Sequence, residues 1–271
     1  MNRLAIIIIN HLHGDLFQKT MESLSTLDGD YQTDIFVIQN LPDPPVKDWV
    51  EQNFPQTHLI ENESPKGFAA NINQVLRNHT DFDGYFLLNP DVICLPGMLS
   101  NLIGAMALNP QIGVAAPQLL NPDGSIQPSR RRFAPFLALA LRALHLDKIL
   151  PHLKVINRYL MTDITFEGVT EVDWVTGAAM LLRKTALDQV GLLDERFFLY
   201  FEDEDLCCRM WQKDWKVCYV PQAQAYHKHI ARGRNIIFSK ENFHQLLSAV
   251  KMLFKYHGNI TRCYHKKHLK G

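Results

Sequence analysis

The stretch Phe86-Leu87-Leu88-Asn89-Pro90-Asp91-Val92 decides how this chain is read. A short apolar run predicts a buried strand, and it stops on Asn-Pro-Asp. Proline has no N–H to give to a sheet ladder and holds the residue before it in an extended conformation, so the strand ends there. Asp91 is thereby delivered just past a carboxyl end, the edge at which open α/β sheets bind ligands. A carboxylate so placed can hold a divalent cation against a phosphate. In isolation the same tripeptide is an ordinary strand-ending turn with a solvated aspartate. The remaining sequence separates the two readings.

On the N-terminal side, Leu4 to Ile9 is apolar on both faces, as a central parallel strand requires. Polar Asn10-His11 and a predicted helix over Asp15–Leu27 follow. Ile35–Ile38 is a second buried strand ending on Gln39-Asn40, and a Pro/Asp-rich loop (Pro42, Asp43, Pro44, Pro45) leads to a short helix. His58–Ile60 is a weaker third strand, Lys66–Asn78 a helix and Tyr85–Leu88 the fourth strand. Pro96–Leu108 reads as a helix with proline in its first turn, and Ile112–Ala116 as a fifth strand. This alternation predicts an α/β fold, a doubly wound, mainly parallel sheet flanked by helices, across the first ~120 residues. Beyond Asp123-Gly124, a turn, the pattern loosens. Phe136–Leu160 is Leu-rich, basic and helical in pattern, with a break near Pro151. Val172–Leu182 is a long apolar strand interrupted at Gly177, Asp203–Lys213 a helix, Lys216–Val220 a short strand, and the last thirty or so residues a helix with a Lys/His-rich end.

Among 271 residues, 28 Lys and Arg balance 28 Asp and Glu, which gives no global attraction to nucleic acid or anionic lipid. No nucleic-acid recognition motif is present, so no nucleic-acid partner is expected. Five scattered cysteines without a C-x-x-C pair form neither a zinc site nor a disulfide framework and suit a reducing cytosol. The amino terminus is too short for a signal peptide, and no run reaches the ~18 apolar residues of a spanning helix. The expectation is a cytoplasmic protein, soluble or peripheral on the inner face of the plasma membrane. The turn after the first strand holds one glycine, Gly14, and no G-x-x-x-x-G-K-[ST] occurs, so neither glycine-rich phosphate cradle is available. A bound nucleotide would then need a metal ion as its phosphate's partner.

A second feature is Tyr200-Phe201-Glu202-Asp203-Glu204-Asp205-Leu206, four carboxylates behind an apolar run. Acids at a helix N-terminus are ordinarily capping, worth ~0.3–1 kcal/mol each. One or two satisfy that need, and four repel one another. Leu206 and Met210 anchor one helix face in the core, so one carboxylate turns back toward the apolar wall of residues 197–201. Desolvation and like charge raise its pKa and make it a better base. Lys66-Gly67-Phe68-Ala69-Ala70-Asn71-Ile72-Asn73 opens a helix with small residues, which permits close backbone approach to an anion, although packing alone also selects them. His227 follows a strand, a setting in which a lone histidine is usually structural. Arg130-Arg131-Arg132 reads as a solvated charge cluster able to meet a phosphate or an acidic acceptor.

In this order the segments resemble the family 2 glycosyltransferases, particularly their bacterial rhamnosyltransferase-like branch. The resemblance runs from Ile6–His11 through Lys66–Asn73, Leu88-Asn89-Pro90-Asp91, Asn121–Gln127, Trp174–Met180, Gly191–Phe198 and Tyr200–Cys207 to His227, about residues 3 to 230. It implies a GT-A fold over residues 1–230 with a helical, basic extension at 231–271, packed on the domain or at a membrane surface. It also implies a nucleotide-diphosphate sugar donor, Mg²⁺ or Mn²⁺, and inversion at the anomeric carbon. Asp91 matches the aspartate of the family's DXD-like motif, with Asn89 in place of the first acid. His227 is implied as a further metal ligand and Asp203, of the Glu-Asp pair, as catalytic base. Asn10, Gln39, Lys66, Asn71, Asn89 and Asp91 are implied on the donor side, and Trp174, Gly177 and Glu202 on the acceptor side. Gln39-Asn40 stands where the family usually has an aspartate against the nucleoside. An amide there still hydrogen-bonds a pyrimidine edge.

The implied activity is transfer of a sugar, rhamnose from a dTDP donor as first guess, to a growing cell-surface glycan or lipid-linked saccharide. The alternative is a catalytically degenerate protein that binds a sugar nucleotide or glycan without turnover, favoured by Asn89 and Gln39 and opposed by Glu202-Asp203. A nucleotidyltransferase would need a glycine-rich basic loop after the first strand, which is missing. Lys251, Lys255, Arg262, Lys266, Lys267 and Lys270, interleaved with Leu253, Phe254 and Tyr256, suit either a solvated helix face or an anionic membrane surface.

Overall fold

β1 (Arg3–Asn10) is an interior strand, because both its faces are apolar: Leu4, Ile6 and Ile8 enter one core cluster, Ala5, Ile7 and Ile9 the other. The computed structural model describes residues 1–27, 29–133, 153–228 and 240–256. Parallel partners flank β1, with β2 (Gln32–Gln39) on one side (Ile6 opposite Ile35) and β4 (Gly84–Leu88) on the other (Ile6 opposite Phe86). β3 (His58–Glu61) adds in parallel to β2. The remaining strands of this sheet are β5 (Val92–Cys94), β6 (Ile112–Leu120), β8 (Thr170–Glu171), β10 (Ala179–Arg183) and β11 (Lys216–His227). The order is β3-β2-β1-β4-β10-β6-β11-β5, with β8 against β11, nine strands among the described residues. β7 (Arg130–Arg131) and β9 (Trp174–Val175) form a separate antiparallel pair.

The two faces are covered by different helices. α1 (Asp15–Leu24), α2 (Pro44–Asn53) and α4 (Met98–Leu108) cover the face of Ile6 and Phe86. On the opposite face lie α3 (Phe68–Asn78), α6 (Lys184–Val190) and α7 (Glu202–Gln212), together with Tyr159 of α5 (Lys154–Leu160) and Met252 of α8 (Lys240–Lys255).

The expected α/β sheet is present, with four differences of physical interest. First, it is not completed within the first 120 residues. β10 is inserted antiparallel between β4 and β6, pairing Leu181 with Phe86 on one side and Ala115 on the other. Second, the apolar run over 172–182 splits: Trp174–Val175 joins β7, and only Ala179–Arg183 enters the main sheet. Third, β11 continues seven residues past Val220. Its register on β6 shifts between Val220 and Gln224, where Pro221 cannot donate to the ladder, and His227 becomes the last residue of the strand. Fourth, α4 begins at Met98 rather than Pro96, since Gly97 at φ 75° cannot continue a right-handed helix, while Pro44 and Pro45 occupy the first turn of α2. Most of the predicted helix over 136–160 lies outside the described residues, as does the chain beyond 256. Cys94, Cys207 and Cys218 are free thiols, but Cys208 is disulfide-bonded, which corrects the expectation of cysteines without a disulfide at that position.

α8 is fastened to α7 through Asp205, a fully buried carboxylate. Arg209 Nε donates to it at 2.9 Å and Tyr256 O–H at 2.7 Å, and Lys255 forms an ion pair with it. Lys255 also reaches Asp194 at 2.7 Å, and Ser248 Oγ donates to the Leu199 carbonyl at 2.9 Å. Removing the acid takes the carboxylate partner from Arg209, one of two from Lys255, and the acceptor from the Tyr256 phenol. Asp205→Ala is therefore expected to cost about 3 kcal/mol in urea denaturation and to loosen α8, read as faster amide exchange over 243–256.

Candidate active site

Strands β1 and β2 end on polar residues, Asn10 and Gln39, at the edge of the sheet where Asn89 follows β4 and β10 begins. From β1, Asn10 is fully buried, its Nδ2 donating to Asp43 Oδ2 at 3.0 Å and to Gln39 Oε1 at 3.4 Å. Gln39 is equally buried, and its Nε2 has no hydrogen-bond acceptor among the described residues. A desolvated amide N–H₂ without a partner is costly unless a ligand satisfies it. Asn40, one residue on, is spent internally: Lys66 N–H donates to its Oδ1 at 2.8 Å, and its Nδ2 donates to the Lys66 carbonyl at 2.9 Å.

Asn62, which the sequence reading passed over, donates to both Asn40 Oδ1 (3.0 Å) and Asn71 Oδ1 (2.7 Å). Asn71 donates back to the carbonyls of Lys66 and Gly67 at 3.1 and 3.0 Å. Asn71 is thus buried beneath the loop and shapes it, while the exposed Lys66 ammonium reaches Gln74 at 2.8 Å. Gly67 is required by close approach: a Cβ there would sit 2.6 Å from the Phe198 carbonyl oxygen, which accepts the Phe68 N–H at 2.9 Å. The start of α3 is therefore pressed against the segment that leads into α7.

β4 ends at Leu88, and Asn89 N–H donates to the Ala178 carbonyl at 2.8 Å, binding the Asn-Pro-Asp loop to the entry of β10. Asn89 is half-buried and Asp91 buried. The chain returns as β5, antiparallel to the end of β11 with Val92 opposite His227. That pairing brings His227 Nε2 to 3.4 Å from Asp91 Oδ1, and His227 Nδ1 to 2.6 Å from Gln127 Oε1. The short β5 carries this geometry and was not foreseen, because three residues give no periodicity to read. Among the described residues no group of three or more His, Cys, Asp or Glu side chains converges as a metal cage. One oxygen and one nitrogen donor do converge, which suits a Mg²⁺ or Mn²⁺ ion whose other ligands are phosphate and water.

Tyr200 and Phe201 adopt left-handed conformations (φ 67° and 72°), rare for aromatic residues, and turn the chain sharply so that Glu202 and Asp203 open α7. Gly177 N–H donates to Asp203 Oδ2 at 2.9 Å and Glu204 N–H to Oδ1 at 2.8 Å. Burial raises the Asp203 pKa, while those two N–H groups and the positive charge of Arg131 oppose the rise. Glu202 is driven well above the ordinary glutamate range by burial and by the charge of Asp203, and its Oε2 has no hydrogen-bond partner. Of the two, Asp203 is the one whose charged form accepts from two backbone N–H groups.

The acceptor-side expectations divide. Gly177 touches Asp203 directly. Trp174 is buried, its indole N–H donating to the Arg132 carbonyl at 3.3 Å, with Tyr159 and the Arg131 guanidinium against its ring. It supports the wall and presents no open ring face. Arg130 is also buried, against the Phe166 and Tyr219 rings, which corrects its reading as part of a solvated cluster.

Two solved structures share this architecture. A GalNAc-T7 structure with UDP, GalNAc and Mn²⁺ superposes with a TM-score of 0.67 at 12% identity, covering 94% of this chain and 49% of that one. The mannosyltransferase PcManGT from Pyrobaculum calidifontis, in complex with GDP-Man and Mn²⁺, gives 0.56 at 14%, covering 93% and 69%. The fold is thus GT-A, the α/β sheet of sugar-transferring enzymes. More narrowly, residues 2–245 match glycosyltransferase-like family 2, and the chain belongs to that family. An N-acetylglucosaminyl-diphospho-decaprenol L-rhamnosyltransferase of Mycobacterium tuberculosis (strain H37Rv) is 29% identical over 195 residues, 68% of this chain and 63% of that protein. Rhamnosyltransferase WbbL of Escherichia coli (strain K12) is 25% identical over 228 residues, 82% of each chain. The chain thus spans under two thirds of the mycobacterial relative's length.

The Glu202–Asp203 pair makes a pH signature. Both carboxyls hold protons more tightly folded than unfolded, so their burial costs nothing below the ordinary glutamate value of 4.5 and lowers stability as pH rises above it. Glu202→Gln is expected to raise the urea midpoint relative to wild type at about pH 8, with the gap closing toward pH 4.5. Equal midpoints at both pH values would mean that Glu202 is not desolvated.

Proposed function

We propose that this glycosyltransferase moves a sugar from a nucleotide-diphosphate donor to a hydroxyl of a glycan or lipid-linked saccharide, with inversion and with a divalent metal ion. The observation that carries the reading is the placement of Asp203, a half-buried carboxylate held by two backbone N–H groups beside the loop at residues 66–68. A carboxylate fixed in this way accepts the proton of an acceptor hydroxyl as its oxygen attacks the anomeric carbon. A single displacement needs no covalent enzyme intermediate. Burial and the charge of Asp203 push the neighbouring Glu202 well above the ordinary glutamate range, which favours placing the negative charge of the pair on Asp203.

Asp91 and His227 would hold the metal, Mg²⁺ or Mn²⁺, with Gln127 orienting the imidazole. When bound, the ion supplies positive charge to the donor diphosphate. Gln39 Nε2, unpartnered at the end of β2, offers a donor to a carbonyl of the base, and Asn10 orders Gln39 and Asp43 around it. Lys66 and Asn89 border the same edge, and Asn71 acts by shaping the loop. Rhamnose from a dTDP donor is the first specificity to test, supported by the names of the two relatives. The intact Glu202–Asp203 pair weighs against a binding protein without turnover.

A donor-hydrolysis and transfer screen across nucleotide sugars, with and without Mn²⁺, tests the whole reading. Turnover with at least one donor is expected, and no turnover with any donor in the presence of metal overturns it. Within an active pair, Asp203→Asn should lower turnover by about 10²–10⁴-fold while donor affinity, measured by calorimetry, stays close to wild type. Asp91→Ala should instead weaken Mn²⁺-dependent affinity for the nucleoside diphosphate by at least about tenfold. Unchanged affinity would remove Asp91 from the metal.

A further inference from the structure

α8 is apolar on two sides. Ser248, Met252 and Tyr256 are buried against the domain. The side turned away from it carries Phe243 (65% exposed), Leu246 (59%), Leu247, Val250 and Phe254 (79%). A helix packed on a water-soluble domain ordinarily turns polar residues outward. Here the outward positions 243, 246, 247, 250 and 254 follow the i, i+3, i+4, i+7, i+11 spacing of one continuous stripe. Phe198, stacked on His244 with ring centroids 4.5 Å apart, and the exposed Tyr200 extend the stripe toward the loop that delivers Asp203. Contiguous exposed apolar residues of this kind are the mark of an interaction surface.

Charge selects the occupant. Residues 243–271 hold six Lys and Arg and no Asp or Glu, so the preceding 242 residues carry 22 basic against 28 acidic side chains. A second copy of this chain meeting α8 with α8 would set like charges together, which is unfavourable. An anionic lipid surface offers hydrocarbon to the stripe and negative headgroups to the basic segment. No described helix is long and apolar enough to cross a membrane, so a helix lying in the interface is the form available. We infer that α8 is an interfacial lipid-binding helix, with its stripe immersed among the acyl chains of an anionic membrane.

The inference also bears on the site. Phe198 lies in the stripe, and its carbonyl accepts the Phe68 N–H at the start of α3. Docking of α8 would therefore hold the mouth of the site, between residues 66–68 and 198–203, close to the bilayer surface. That consequence rests on the transfer reading and suits an acceptor carried on lipid. Membrane binding itself does not.

Co-sedimentation of the full chain with vesicles tests the inference without any sugar nucleotide, so its failure is separate from failure of the transfer reading. Vesicles of phosphatidylcholine alone are compared with vesicles containing roughly one third phosphatidylglycerol, and the partition coefficient is expected to be at least about tenfold higher on the anionic ones. Leu246→Glu combined with Phe254→Glu should lower it by about tenfold or more at an unchanged Tm, since both side chains are exposed. Should that variant melt early, Lys266→Glu combined with Lys267→Glu carries the test and should abolish the preference for anionic vesicles. The inference is overturned if wild type binds neither vesicle or both equally, if the variant judged binds like wild type, or if the stripe holds a dimer that Leu246→Glu/Phe254→Glu dissociates in sedimentation velocity.

Discussion

The hydrogen bond from Asn89 N–H to the Ala178 carbonyl joins the two halves of this molecule at the place where its chemistry is located. On one side it fixes the Asn-Pro-Asp loop, which carries Asp91. On the other it fixes the residue after Gly177, whose N–H holds Asp203. The bond exists because β10 runs antiparallel between β4 and β6, so that its first residues, rather than its last, arrive at the carboxyl edge of the parallel strands. A parallel strand in that slot would have sent the 174–178 segment to the opposite edge of the sheet. The relation between Asp91 and Asp203, the proposed metal-side and base-side groups, is thus a consequence of strand polarity, held by one short peptide contact.

Much of this was legible from local pattern. The runs Leu4–Ile9, Ile35–Ile38 and Tyr85–Leu88 are apolar on both faces and could only be interior strands, and all three pair as such. Pro90 marked the end of β4 and so placed Asp91 at the edge. What escaped was set by long-range pairing. β5 is three residues long and exists because β11 reaches it, and β11 reaches it only by shifting register at Pro221. The polarity of β10 has no local signature. Burial of Arg130 and Trp174 depends on the β7–β9 pair, whose two-residue strands are too short to read.

One signal was present and overlooked. Four successive parallel strands finish with an asparagine at or just beyond the last residue: Asn10, Asn40, Asn62 and Asn89. Asparagine is a poor strand former whose amide both donates and accepts, so its recurrence at strand ends marks a hydrogen-bonded seam along the sheet edge. Two of the four, Asn40 and Asn62, bond with Asn71 to one another or to the loop carbonyls at 66–67. Asn40 organises the edge, Gln39 keeps a free N–H₂ group, and a carboxylate reaches the same place from Asp43 at the start of α2.

The pairing of β5 with the end of β11 has a consequence for how the chain acquires its fold. Asp91 and His227 are half the chain apart in sequence, and β1 through β4 can pair among themselves long before β11 exists. During synthesis from the amino terminus, an early intermediate built on those strands would bury the face of α1 but leave the β4 edge open, awaiting β10. Closing that edge and bringing His227 to Asp91 are parts of one late, high-contact-order event. Competence to grip a cation should therefore emerge with the final docking of β10 and β11, and not with the parallel core that the sequence advertises first.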